Sequence, residues 1–409
     1  MQSNHDRPQL RHLEASPSSR RPGAVDLTDP SGIAESVLTV SGRTLSILAQ
    51  MNGRMRRVDI QAEFLRRHGR MLFSDELDRL IEQLDDALFL TGPAFDGHMG
   101  RLVEAYRQAK YRPLRDRDAF GAPASELGAY LDGILQSQGC ESSSMIKGHL
   151  TGLVAPHLDY PRGQVCYARA YRDLGTRTEA RRFIILGTNH FGRSSAVVGT
   201  RQDFETPWGI VPHDRAFMDA LSAQCGVDLH EFEYDHAREH SVELQVIWLR
   251  HQLPDREFTI APYLCPDICG PTGTAPRDGC GLDLARFTDL LRNLLDEDDT
   301  PTCIIAGADL SHVGKYFQDD RELSEANLRE VESLDRVALR HLESNDPDAF
   351  RECVASRSNS TNICSVGCLF ALGKILQGRA EPRLLRYHQA VTRPMENCVS
   401  CVAMEYVAG

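Results

Sequence analysis

Short apolar runs alternate with amphipathic segments over the last two thirds of the chain. From residue 146 onward the apolar runs predict strands, and the segments between them have apolar residues at helical spacing. The predicted strands cover residues 150–155, 182–187, 195–200, 257–264, 302–306, 383–389 and 398–407. The predicted helices cover residues 163–174, 213–224, 236–252, 283–295, 321–343, 347–355 and 365–377. This alternation predicts an α/β fold with a layered, largely parallel or mixed sheet flanked by helices.

The first third of the chain has a different pattern. Residues 1–35 are rich in proline, serine, arginine and glycine and show little apolar periodicity, so we expect a disordered leader there. Helical patterns follow, and the third of them runs into the short apolar segment 87–91 and a turn at Gly92-Pro93, which predict a small hairpin. Helices followed by a hairpin predict a winged-helix-like module over residues 36–112.

A linker is expected between this module and the α/β part of the chain. Residues 113–147 contain proline- and serine-rich stretches and one helical pattern near residues 127–135. The α/β domain is then predicted to cover residues 148–409. No glycine-rich phosphate-binding motif occurs in the sequence, so a nucleotide-binding loop is not predicted.

The charge and composition of the chain exclude several classes of partner. With 58 acidic and 46 basic residues among 409, the net charge is -12, and this argues against nucleic acid as a principal partner. No stretch is apolar over the roughly 18 residues that span a bilayer, and the N-terminus lacks the apolar region of a secretory signal. The twelve scattered cysteines do not resemble a disulfide framework. We expect a soluble cytoplasmic protein with reduced cysteines and no membrane partner.

Three predicted strands each run into a histidine. His157 follows the first strand, His190 follows the second, and Asp309 and His312 follow the strand at residues 302–306. Ligands and metals collect beyond the carboxyl ends of strands in open α/β sheets, so these histidines are expected to converge. A carboxylate beside an imidazole can orient it and raise its basicity, and a helix N-cap is the alternative role for Asp309.

A fourth group of polar residues lies on the predicted helix 236–252. His236, His240 and Glu243 have the spacing that places them on one helix face. The order is not HExxH, which argues against a zincin. A zinc hydrolase that uses His236 and His240, and a merely exposed polar face, stay as alternatives.

The cysteines offer three leads. Cys364 precedes a predicted helix, where the pKa of a thiol is lowered and the thiolate becomes a better ligand or nucleophile. Cys398 and Cys401 have CxxC spacing, but they lie in a strand-like run that points their side chains to opposite faces, which makes zinc binding improbable. Cys265 and Cys269 border a loop and carry no specific signal.

Five short strings together resemble the Memo-like family, and in particular its microbial branch called AmmeMemoRadiSam system protein B. The strings are APHLDY at 155–160, ILGTNH at 185–190, REHSVELQ at 238–245, ADLSHVG at 308–314 and NIC at 362–364. The resemblance covers roughly residues 148–408 and leaves the N-terminal third outside. It implies an α/β fold like that of the class III extradiol dioxygenases, which are non-haem iron enzymes.

The resemblance also implies a metal site. The implied metal ligands are His157, His190 and Cys364, and the residues implied to line the same pocket with catalytic roles are His240, Asp309 and His312. His240 or His312 would act as general base or support a ligand, and Asp309 would orient His312.

The implied third ligand departs from that of the dioxygenases, which use a carboxylate. A cysteine at that position shifts the preference towards Cu(I) or a sulfur-ligated Fe(II). The implied function is redox or dioxygen-related chemistry at a mononuclear iron or copper site, on a small-molecule or peptide substrate. The alternative is a non-catalytic module that binds a peptide or sequesters metal. The branch name further implies that the N-terminal module recruits a peptide or a companion radical enzyme.

Overall fold

The chain forms two compact units, Met1–Gln108 and Ala109–Gly409. The computed structural model describes residues 6–115, 123–137, 148–317, 319, 323–392, 394 and 396–409. The first unit ends four residues before the end of the predicted module, so residues 109–112 belong to the second unit. No helix in these described ranges is long and apolar enough to cross a bilayer.

The first unit combines a small sheet with four helices. The three antiparallel strands, in the order β1-β2-β3, are Glu14–Pro17, Ala24–Thr28 and Leu38–Ser41. The helices are α1 (Gly42–Leu48), α2 (Arg57–His68), α3 (Ser74–Asp86) and α4 (Pro93–Gln108).

Two predictions for this unit are wrong. The range 1–35 is not a disordered leader, because β1 and β2 lie in it; β2 is paired on both sides and buries Leu27 in the core. Such short strands show too little alternation to be recognised in the sequence. The hairpin expected after α3 is also not formed, since Pro93 begins α4, where a proline at the first helical position is favourable. The winged-helix-like module is therefore not confirmed.

The second unit is built on a mixed sheet, as predicted. Its strands are β4 (His149–Ala155), β5 (Arg182–Thr188), β6 (Val198–Gly199), β9 (Thr259–Cys265), β10 (Thr302–Gly307), β11 (Asp309–Gly314), β12 (Glu381–Val391) and β13 (Asn397–Ala408). The order is β11-β13-β4-β10-β5-β9-β6, with β12 also paired to β13. The four central strands β4, β10, β5 and β9 are parallel, and antiparallel pairs complete both edges. A separate hairpin joins β7 (Phe204–Thr206) and β8 (Gly209–Val211).

Helices cover both faces of this sheet. They are α5 (Ala124–Ser137), α6 (Tyr160–Tyr171), α7 (Leu174–Arg177), α8 (Arg215–Cys225), α9 (Glu243–Gln252), α10 (Leu284–Glu297), α11 (Glu325–Glu343), α12 (Pro347–Ala355) and α13 (Val366–Leu376). Side chains alternate along β5, so that Ile184 and Leu186 join the core beneath α10 and α13, while Phe183 and Ile185 join the core beneath α6 and α9. Two apolar layers therefore hold the sheet between helices.

The segment predicted as a linker contributes to one of these layers. The predicted helix is present as α5, and Leu127, Leu131 and Ile134 on it are buried in the same core as Trp248 of α9. Residues 116–122 and 138–147 lie outside the described residues. The described part of the segment is thus an integral part of the second unit.

Candidate metal centre

Two of the predicted histidines meet at the carboxyl edge of the central sheet. His157 lies two residues beyond the end of β4 and His190 two residues beyond the end of β5, and β10 lies between these strands. Parallel strands end at a common edge, and the two imidazole rings are accordingly 4.9 Å apart between centroids. The predicted convergence of these two residues is present in the structure.

Cys364 approaches the same point from the start of α13. The side-chain amide of Asn359 brackets the preceding residue, because its Oδ1 accepts from Ile363 N at 2.8 Å and its Nδ2 donates to Ile363 O at 2.9 Å. Asn362 adopts a left-handed conformation with φ 53°, which asparagine tolerates well. This turn leaves Cys364 Sγ 3.4 Å from His157 Nε2.

A backbone carbonyl orients the ring of His157. Its Nδ1 lies 2.9 Å from Gly307 O, an acceptor only, so Nδ1 carries the hydrogen and Nε2 keeps its lone pair. The backbone N–H of His157 donates to Asp309 Oδ1 at 3.2 Å. This Nε2 faces Cys364 Sγ and lies 3.5 Å from Asp309 Oδ2.

Glu239 orients His190 in the same way, and the sequence analysis did not single it out. Its carboxylate accepts from His190 N at 2.9 Å and from His190 Nδ1 at 3.0 Å, and also from the backbone N–H groups of His240 and Ser241. Burial alone would raise the pKa of Glu239, but His190 and these donors hold it well below its usual range. Burial likewise opposes protonation of His190, yet Glu239 and the sulfur of Cys364 raise the pKa of His190 well above its ordinary value.

Cys364 has the electrostatic environment of a thiolate. Burial raises the pKa of a thiol, but here His157 and His190 outweigh it and lower the pKa of Cys364 to about 6. The position just before the N-terminus of α13 acts in the same direction. The sulfur is therefore suited to a metal ion, as expected for a residue in this position.

His240 lies beside the two histidines without a fixed partner for its ring. It stacks on His190 with centroids 5.0 Å apart and meets His157 edge-on at 5.4 Å. Its Nδ1 is buried and lies 3.3 Å from Glu239 Oε1, without the geometry of a hydrogen bond. Burial first, and then the neighbouring positive charges, lower the pKa of His240 to about 3, so the ring is neutral at physiological pH.

Asp309 and His312 lie on β11 and not in a loop beyond a strand. Asp309 is buried, and burial raises its pKa to about 6. Its carboxylate accepts from the backbone N–H of His157, whereas His312 Nδ1 lies 3.0 Å from Leu310 O, so the interaction of Asp309 with His312 is electrostatic and the orienting role stays a prediction. Burial lowers the pKa of His312.

The predicted helical face of His236, His240 and Glu243 is not formed. Residues Glu233–Ala237 form a 3-10 turn, the chain then bends, and α9 begins only at Glu243. His236 is buried, with Nε2 2.9 Å from Val198 O, and Glu243 pairs with the guanidinium of Arg112. The backbone conformation of this region is therefore set by the buried partners of His236 and Glu243. A zinc site on His236 and His240 has no geometric basis.

The donor atoms of His157, His190 and Cys364 fit a single metal ion. One atom from each residue lies within 4.8 Å of the others. Glu239 belongs to a second group with His190 and His240, but its oxygens already accept several N–H groups. The first set points its ligand atoms at one another, because Gly307 and Glu239 occupy the far nitrogens of the two rings.

Comparisons with known proteins identify the family of the chain. Residues 119–405 match the family described as "Memo-like protein". A MEMO1 family protein of Aquifex aeolicus is 24% identical over 380 residues, which cover 92% of this chain and 94% of the relative. A MEMO1 family protein of Thermus thermophilus is 25% identical over 322 residues, covering 78% of this chain and 90% of the relative. The family match begins earlier than the boundary predicted at residue 148 and includes α5. The chain belongs to the Memo-like protein family.

Proposed function

We propose that His157, His190 and Cys364 bind one iron or copper ion and that the Memo-like domain uses it in redox or dioxygen-related chemistry. The observation that carries this proposal is the placement of three ligand atoms, one from each residue, within 4.8 Å of one another. Both imidazoles are already oriented through their far nitrogens, so little reorganisation is needed on binding.

The donor set supports the choice of metal. A thiolate beside two imidazoles favours Cu(I) or a sulfur-ligated Fe(II) over Mg²⁺ or Ca²⁺, which prefer oxygen ligands. When bound, iron or copper would supply the electron-transfer and dioxygen chemistry that amino-acid side chains lack.

The neighbouring residues have roles that follow from their protonation. His240 is neutral at physiological pH, and its Nδ1 is buried 3.3 Å from Glu239 Oε1, so Nε2 is the nitrogen that can accept a proton from a substrate at the centre. His312 is the second candidate proton acceptor, and its ring is held by the backbone of Leu310 and of Asn362. Asp309 fixes the backbone of His157, and the ionised Glu239 holds His190.

Metal analysis of anaerobically purified protein tests the binding step. We expect about one equivalent of iron or copper in the native chain and a loss of most of it in Cys364→Ala. Cys280→Ala is the matched control, because Cys280 is an exposed cysteine outside the centre, and it should retain the metal. Unchanged metal content after replacing His157, His190 and Cys364 together would contradict the proposal.

Oxygen uptake separates catalysis from sequestration. Metal-loaded protein is mixed with a reductant or a catechol, and consumption of dioxygen is followed with an electrode. We expect uptake that falls in His240→Ala although the metal is retained. A metal-loaded protein that consumes no oxygen under any of these conditions would support the non-catalytic alternative, in which the domain only holds metal or binds a peptide.

A further inference from the structure

A short segment before the matched family region is built into the second unit next to the centre. Residues 109–115 precede residue 119, where the family match begins, yet they belong to the second unit. Arg112 is fully buried, and its backbone pairs with β7, donating to Asp203 O at 2.7 Å and accepting from Glu205 N at 3.0 Å. The backbone N–H of Leu114 donates to the Glu205 carboxylate at 2.9 Å. The segment is thus anchored residue by residue.

This anchoring places Arg115 close to Phe191 and His240, beside the centre. Its backbone N–H donates to Glu243 Oε2 at 2.9 Å, while its side chain is exposed. The guanidinium carbon lies 5.9 Å from the centroid of the Phe191 ring. Across the described ranges of the chain, the guanidinium has no carboxylate partner and makes no hydrogen bond. A guanidinium without a carboxylate partner among the described residues therefore lies beside the centre, and its charge is among those that lower the pKa of His240, after burial and the histidine neighbours.

Phe191 is a partly exposed aromatic side chain beside the same centre. It is 36% exposed, and its ring centroid lies 5.8 Å from that of His190 and 6.3 Å from that of His240. The backbone of its loop is anchored, because the buried carboxylate of Asp235 accepts from the N–H groups of Arg193 and Ser194. The exposed ring is thus carried by a loop that is tied to the fold.

We propose that Arg115 and Phe191 form a substrate subsite that selects a small aromatic carboxylate. A guanidinium matches a carboxylate in shape and charge, and an exposed ring offers a face or edge to a second aromatic ring. This inference rests on the proposed function for the meaning of the subsite, since the substrate held there would lie against His190 and His240. A neutral ligand would leave Arg115 unused.

Ligand binding by the full-length protein tests the subsite directly. Benzoate is compared with benzamide, its neutral counterpart, with acetate, which lacks the ring, and with phenyl phosphate, which carries a different anion. Isothermal titration calorimetry or ligand-observed NMR gives the affinities. We expect benzoate to bind more tightly than all three. Equal affinities for benzoate and benzamide, or tighter binding of phenyl phosphate, would overturn the proposal.

Variants identify the residues that bind benzoate. Arg115→Gln should weaken benzoate about tenfold, which is modest for a charge-assisted contact because the site is exposed. Arg115→Lys should retain part of the affinity, and Phe191→Ala should weaken benzoate and benzamide alike. Arg181→Gln is the matched control, since Arg181 is exposed at the opposite end of β5. Equal losses in Arg115→Gln and Arg181→Gln would refute the assignment.

The same samples separate this inference from the proposed function. Arg115→Gln should keep the full metal content while it loses benzoate, because Arg115 contacts no proposed ligand. Benzoate binding that depends on Arg115 in a protein that binds no metal would uphold the subsite and reject the metal proposal. A metal-loaded protein whose benzoate affinity is unaffected by Arg115→Gln would uphold the metal proposal and reject the subsite.

Discussion

Arg112 is expected to contribute more to the stability of the second unit than any exposed charge. Arg112 and Glu243 are 0% and 1% exposed, and the guanidinium pairs with the carboxylate. It also donates to His236 O at 2.7 Å and to Glu239 O at 2.6 Å. Arg112→Met leaves a buried carboxylate and two buried carbonyls without this donor. Breaking a buried pair in this way costs about 3–5 kcal/mol.

Removal of both charges should restore much of this loss. In Arg112→Met with Glu243→Met the uncompensated buried carboxylate is gone, and apolar pairs of similar volume are often as stable as the ion pair they replace. The exposed pair of Arg162 and Asp159 is the control, since their side chains are 43% and 46% exposed. Arg162→Met should change the free energy of unfolding by about 0–1 kcal/mol.

Urea unfolding followed by tryptophan fluorescence measures these differences. The chain has two tryptophans, Trp208 and Trp248, and both lie in the second unit, so the signal reports that unit alone. The reasoning fails if the free energy of unfolding of Arg112→Met is within about 1 kcal/mol of that of the native protein, or if the double variant is no more stable than Arg112→Met.

Three further outcomes are expected. Glu239→Gln should lower metal affinity about 10- to 100-fold in a chelator competition, because it removes the charge that holds the ligand His190. Gly192→Ala should also weaken metal binding in that assay, since a Cβ there would lie 2.3 Å from the Asp235 carboxylate, which holds the loop after His190. Gly270→Ala is the control and should have no effect, because a Cβ there meets no atom within 4 Å. Burial raises the pKa of Asp335 to about 6, so the protonated carboxyl stabilises the folded state below about pH 4, and this stabilisation is lost as the pH rises towards 6. Asp335→Asn should therefore show a smaller change in the free energy of unfolding across this range. An unchanged pH profile would contradict the assignment.

Local patterns were sufficient to predict most of the second unit. Each central strand is a continuous apolar run because both of its faces are buried, and the helices between them have one apolar stripe, so both periods are visible in the sequence. The positions of His157 and His190 followed from this, since strand ends at one edge of a parallel sheet must lie together. Cys364 was one of three cysteine leads, because it precedes a predicted helix, and the family resemblance placed it above the others.

Only the tertiary structure showed which side chains from distant parts of the chain pair with one another. Glu239 was visible in the sequence beside His240, but only the bend before α9 shows that its carboxylate holds His190. The helical spacing of the same region predicted a histidine face that the structure does not contain, because the buried bonds made by Arg112 outweigh local helical preference. Periodicity records which residues are buried along one element, whereas the pairing of buried charges depends on which elements the fold brings together.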